Sequence, residues 1–179
     1  PITVIKNITL HSKYEINKYT VTFNDENRIT TKEVNYNNKV EPVINQGKEG
    51  YTFKYWSTEE NGEEYNFNTL VTEDTTLYAV YEINTYTVTY INEGSEYHKE
   101  ELTYKSKHEK IEDPFKTGYT FIGWYNENEE KVEYPITVTK DITLHSKYEI
   151  NKYTVIFNDE NRITTKEVNY NNKVEPVIN

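Results

Sequence analysis

The stretch GYTFIGWY, Gly118 to Tyr125, recurs in altered form as GYTFKYWS, Gly50 to Ser57, and the rest of the chain repeats in step with it. A segment of pattern TLxxxYEINxYTV begins at Thr9, at Thr76 and at Thr143, 67 residues apart each time. An internal period of this kind is a stronger guide to organisation than total length. In that register residues 1–15 are the last strand of one unit, 16–82 and 83–149 are complete units, and 150–179 are the first hairpin of another. No Met is present, and the expectation is an excerpt from a longer array.

Within a unit the apolar residues alternate. Tyr19, Val21 and Phe23, matched by Tyr86, Val88 and Tyr90, have the period of two that gives a strand one buried face. A polar tip follows, Asn24-Asp25-Glu26-Asn27 or Asn92-Glu93-Gly94-Ser95, and then a second alternating run with Val34 and Tyr36 or Leu102 and Tyr104, so the first element is a β-hairpin. Pro42 and Gly47 break the next piece, which is expected to be a loop with at most one helical turn. The Trp-bearing stretch is a third strand whose aromatic residues supply most of the core. Tyr65 and Phe67 suggest a short strand, and Leu77, Ala79 and Tyr81 lie on one face of a last strand. Tyr81 and Tyr86 are separated only by Glu82-Ile83-Asn84-Thr85. If first and last strands lie side by side and parallel, such short connections stack the units end to end as a rod.

Composition narrows the function. Net charge is −10, and the Lys and Arg residues form no extended basic run, which works against a phosphate-backbone partner. No apolar stretch approaches the roughly 18 residues of a membrane span, so no membrane insertion of this segment is expected. Absence of Cys excludes disulfides and Cys-ligated metal. Tyr is abundant, 18 of 179 residues, in a chain of only 35% hydrophobic content, the opposite of the aromatic-poor composition of disordered segments. Pro1–Asn45 and Pro135–Asn179 differ only at Ile5/Thr139, Asn7/Asp141 and Thr22/Ile156. A duplicated pair of unlike units, free to vary in copy number, suits a spacer better than an active site.

These patterns together, YTVTF, then GYTFxGWY, then YxFxTxVTxDxTLYAxY, resemble the Listeria–Bacteroides repeat family over both complete units and both fragments. The resemblance implies mainly β, small β-grasp-like tandem units, an exported or wall-anchored bacterial surface protein, and repeats that act as a stalk, with no catalytic residues and no cofactor to carry over. The pattern departs from the family in three places: Asp25-Glu26-Asn27-Arg28 replaces the usual glycine pair, Tyr55 stands at the position of Gly123, and the terminal Trp is Tyr81 or Tyr148.

Little else points to chemistry. The four His, at 11, 98, 108 and 145, have no metal-ligand spacing, and Asn24–Asn27 lacks the central Gly and distal Glu of a calcium loop. Glu59-Glu60 and Glu129-Glu130 are expected to be solvated turn residues. The alternative to a stalk is recognition of a host glycan or host protein through outward Tyr residues, for which Tyr78, Tyr97 and Tyr125 are the candidates. Neighbouring repeats are the expected partners, and the incomplete terminal segments suggest head-to-tail self-association by strand pairing.

Overall fold

The computed structural model describes residues 1–26, 28–160 and 162–175. Asn27 of the first hairpin tip, residue 161 and the last four residues of the 150–179 segment lie outside them. The chain divides into two compact units, Pro1–Glu82 and Ile83–Asn179.

In the first unit β1 (Lys18–Asp25) and β2 (Arg28–Asn35) form the expected hairpin, paired antiparallel from Lys18↔Asn35 to Asp25↔Arg28. β3 (Tyr51–Ser57) and β4 (Thr75–Ile83) complete a four-stranded sheet of order β2-β1-β4-β3. β1 and β4 lie side by side and parallel, with Val21 opposite Thr75 and Phe23 opposite Leu77. Period-two alternation then places Val21, Phe23 and Leu77 on one face, where each is at most 1% exposed. Val34, Val40, Trp56 and Val71 close over them, and the rings of Phe23 and Trp56 meet edge to face, 5.0 Å apart at 80°.

The second unit repeats this plan. β5 (Thr85–Asn92), β6 (Ser95–Thr103), β7 (Lys107–His108), β8 (Tyr119–Tyr125), β9 (Ile136–Thr137) and β10 (Ile142–Ile150) follow in order, and the main sheet runs β6-β5-β10-β8. β5 and β10 are parallel, Val88 opposite Ile142 and Tyr90 opposite Leu144. Val88, Tyr90, Trp124, Val138 and Leu144 form its core. The hairpin of β11 (Lys152–Asp159) and β12 (Arg162–Asn169) comes next, in the register of the first hairpin.

Two repeated devices hold the sheets. The parallel pairing starts at Val21 of β1 and Val88 of β5, leaving the preceding N–H of Thr20 or Thr87 outside the parallel ladder. Asp74 Oδ1 accepts from Thr20 N at 2.7 Å, and Asp141 Oδ1 accepts from Thr87 N at 2.8 Å, which is the physical content of the TxD part of the repeat. At the hairpin tips, Glu26 and Glu93 pair with Lys48 and Lys116. Each ammonium also lies over a ring of the third strand, Lys48 at 4.3 Å from Tyr51 and Lys116 at 4.2 Å from Tyr119.

Two expectations are corrected. Tyr65 and Phe67 form no strand: Tyr65 N donates one bond to Trp56 O at 2.7 Å, and their rings pack edge to face at 5.0 Å against the core instead of extending a ladder. The segment around Pro42 and Gly47 is the expected loop, and no helix occurs among the described residues. Residues 1–15 form no strand, and Ile2, Val4, Ile5, Ile8, Leu10 and Tyr14 are exposed. A strand's backbone groups need a ladder partner, and among the described residues this segment pairs with none.

Candidate functional site

A linked group of polar side chains, buried at Tyr90 and His108, lies in the second unit and is built on positions that are apolar or differently charged in the first. Tyr90, His108 and Tyr134 stand where the first unit has Phe23, Val40 and Phe67, and Glu100 stands where it has Lys32. His108 is 5% exposed. Its Nδ1 lies 3.0 Å from Glu100 Oε2, and its Nε2 lies 2.8 Å from the Tyr90 hydroxyl, which in turn lies 3.1 Å from the Tyr134 hydroxyl. With the imidazole neutral, Nδ1–H donates to Glu100, Nε2 accepts from Tyr90 O–H, and the Tyr90 oxygen accepts from Tyr134. The two enclosed members of this relay, His108 and the Tyr90 hydroxyl, then each have partners, as burial demands. Burial pushes the Tyr90 phenol far above its usual range and raises Tyr134 as well. Both phenols stay neutral and act as relays of orientation, not as bases.

Tyr134 also borders an open hollow of about 330 Å³ whose other walls include Phe121, Trp124, Lys110 and Lys131. Gly123 is part of its wall. Its φ is +140°, and a Cβ there would meet Lys131 Cε at 2.7 Å. The Trp124 indole N–H is buried and has no acceptor among the described residues.

The three Tyr residues singled out by sequence are placed apart. Tyr78, in the first unit, is half-buried and lines a separate hollow of about 250 Å³ with Asn24, Glu26, Glu60 and Asn61. Tyr97 lies in β6 at a register shift and is 42% exposed, its ring 5.8 Å from that of Trp124. Tyr125 ends β8, half-buried, opposite His145, with Lys147 Nζ 4.4 Å from its ring centroid. β6 and β8 are opposite edges of the sheet, so Tyr97 and Tyr125 do not form one platform. His11, His98 and His145 are exposed, and the paired carboxylates Glu59-Glu60 and Glu129-Glu130 lie at the surface. Among the described residues no three His, Asp or Glu side chains stand together so as to hold a metal ion, and no helix is long and apolar enough to cross a membrane.

Sequence reasoning passed over His108. The signal was there in the comparison of the two complete units, where Phe, Val and Phe change together to Tyr, His and Tyr. One polar substitution in a core is a liability, whereas several at facing positions make a satisfied network.

Residues 19–80 and 86–147 each match the Listeria-Bacteroides repeat domain. The chain is 38% identical over 86% of its length to a protein of Evansella cellulosilytica named as a Gly-rich membrane protein, of which it covers 19%. A second protein of that organism, named as a membrane protein, is 35% identical over 93% of the chain, which covers 27% of it. Internalin H of Listeria monocytogenes is 33% identical over 73% of the chain, which covers 25% of it. The chain thus spans about a quarter or less of the length of these relatives. Both matches fall on the sheet-and-loop units just described, each from the first hairpin to the parallel last strand, and the chain belongs to the Listeria-Bacteroides repeat family.

Proposed function

We propose that these repeats are the spacer of a bacterial surface protein, holding a functional segment of the parent chain away from the envelope and bearing load along it. The observation that supports this reading is the parallel pairing of β1 with β4 and of β5 with β10. The chain comes into a unit at the start of one strand and leaves at the end of its parallel neighbour, so tension applied through the chain loads their shared row of hydrogen bonds together, in shear. A hairpin such as β1–β2 pulled at its open end would yield one bond at a time. An extracellular, wall-anchored placement belongs to the same proposal, supported by the likeness to Internalin H and to proteins named as membrane proteins. Successive acidic repeats, in a chain of net charge −10, repel and favour an extended array.

Single-molecule pulling tests it. Handles on residues 18 and 83 load the first unit along the parallel pair, whereas handles on residues 18 and 35 peel its hairpin. The expected result is a discrete opening at clearly higher force in the first geometry, releasing roughly 200 Å of chain at roughly 3.4 Å per residue. Equal forces in both geometries would remove the load-bearing role.

A further inference from the structure

We propose that the hollow beside β8 in the second unit binds a neutral sugar residue of a glycan. Its walls come wholly from residues 110–134, inside one complete repeat, and its volume is about 330 Å³. Small-molecule sites occupy about 300–1,000 Å³. One wall is apolar, made by Phe121, Ile122 and Val132. A pyranose ring has a C–H face that lies against such a surface, and its rim carries hydroxyl groups that each donate and accept.

The polar groups around that wall suit such a rim. Lys110 and Lys131 border the hollow together with Asp113 and Glu133, so the four charges cancel. Lys110 is committed to Asp113 at 2.8 Å. Lys131 and Glu133 are exposed, and neither has an ion-pair partner among the described residues. One strong donor and one strong acceptor are thus left free, and sugar hydroxyls use both, accepting from Lys131 and donating to Glu133 in charge-assisted bonds. An acidic glycan would meet a chain of net charge −10, which repels it.

The backbone favours a sugar over a peptide. Across β10, Gly123 faces Lys147 and Phe121 faces Tyr148, so Ile122 is the extra residue of a β-bulge, a feature that re-aims side chains beside binding sites. The edge of β8 at the hollow is already taken: Val132 N donates to Trp124 O at 2.9 Å, and Lys131 bridges to Tyr125. An extended peptide binds a sheet by adding to a free edge, whereas a sugar needs no ladder. The first unit departs at these positions, with Lys54, Tyr55 and Glu64 where the second has Ile122, Gly123 and Lys131. The site is independent of the spacer reading: a repeat that bears no load can still hold a sugar.

The test is to probe an array of immobilised neutral and acidic oligosaccharides with the purified chain, then to titrate a retained sugar into the isotope-labelled chain. Trp124 borders the hollow and Trp56 lies in the first unit, so their indole N–H resonances report the two units separately. Neutral glycans are expected to be retained, and the Trp124 resonance to move with added sugar while that of Trp56 stays. Lys131→Glu changes an exposed side chain to the first unit's residue, so it should fold as the wild type does and weaken binding about tenfold or more, the worth of a hydrogen bond to a charged group. Retention of no neutral glycan would overturn the proposal. So would retention of acidic glycans only, movement of both resonances together, or unchanged affinity in Lys131→Glu.

Discussion

The ring of Tyr170 lies directly on Gly118, where a Cβ would stand 1.9 Å from its Cδ1. The backbone closes the same contact. Asn151 N donates to Gly118 O at 2.9 Å, and Tyr170 N donates to Asn151 O at 2.8 Å. Thr120 Oγ1 adds a bond to Asn151 Oδ1 at 2.7 Å. The first residue of the GYTFIGWY stretch is thus the seat on which the following hairpin rests, and its φ of +78° is one that L side chains rarely adopt.

Gly118→Ala should therefore unseat β11–β12 without opening the core of the second unit. The left-handed backbone costs about 1–3 kcal/mol, and the ring must also move. Faster amide exchange at 152–169, with exchange in β5 and β10 unchanged, is the expected result. Exchange at the wild-type rate throughout would show that the hairpin is held by something else.

Asp74→Ala and Asp141→Ala should each weaken only their own unit. Each carboxylate accepts a bond from a backbone N–H that the parallel ladder leaves out, and a hydrogen bond to a charged group is worth about 1.5–3 kcal/mol. The chain has two Trp, Trp56 in the first unit and Trp124 in the second, so 5-fluorotryptophan gives one resonance per unit. Thermal melts followed by fluorine NMR should show the Trp56 signal shift its midpoint in Asp74→Ala and the Trp124 signal in Asp141→Ala. Asparagine, which keeps an acceptor oxygen, should restore part of the loss.

Much of this was legible beforehand because each unit states its pattern twice. Alternation at Tyr19, Val21 and Phe23 announces the first strand, whereas the parallel pairing of first and last strands stands in the sequence only as a condition of the rod, and it is the register of Val21 with Thr75 that supplies it. What misled was reasoning from one strand at a time. Tyr65 and Phe67 have strand-like spacing, yet one bond to Trp56 holds them as a loop. Pro1–Glu15 contains most of a strand's sequence, but a strand needs a neighbour. Tyr78, Tyr97 and Tyr125 were singled out as outward residues, and alternation does not report that a register shift turns Tyr97 toward Trp124. His108 is legible only when the two units are compared position by position, because its burial depends on Glu100 and Tyr90, on other elements, being polar as well.

Strong alkali should unfold the second unit before the first. Tyr90 and Tyr134 have pKa values raised chiefly by burial, and the corresponding residues of the first unit are Phe23 and Phe67. Tyr65 in the first unit is also raised by burial, and Tyr81 and Tyr148 are raised at matching positions of the two units. An unfolded phenol ionises near pH 10, roughly. The folded pKa lies above that, so the stability these groups contribute is complete below about pH 10 and declines as pH rises further, because the unfolded chain loses its protons first. In the fluorine melts the Trp124 midpoint should fall more steeply than the Trp56 midpoint above that pH. Parallel declines would mean that Tyr90 does not dominate.

The linked group of Glu100, His108, Tyr90 and Tyr134, enclosed at His108 and Tyr90, should behave as one unit of stability. His108→Val alone removes one of the two partners of the enclosed Tyr90 hydroxyl, leaving Tyr134, and should cost about 1 kcal/mol, seen as a lower Trp124 midpoint. The triple change Tyr90→Phe, His108→Val and Tyr134→Phe installs the residues that the first unit already uses at these positions, Phe23, Val40 and Phe67. It leaves no phenol or imidazole needing a partner, and replacing facing polar groups together with apolar ones of similar shape is close to neutral. The triple variant should therefore lose less than the sum of its three single changes, since contacting residues couple. A triple loss equal to that sum would mean that the polar chain is three independent contacts, and that the two units differ in core composition but not in the logic of their packing.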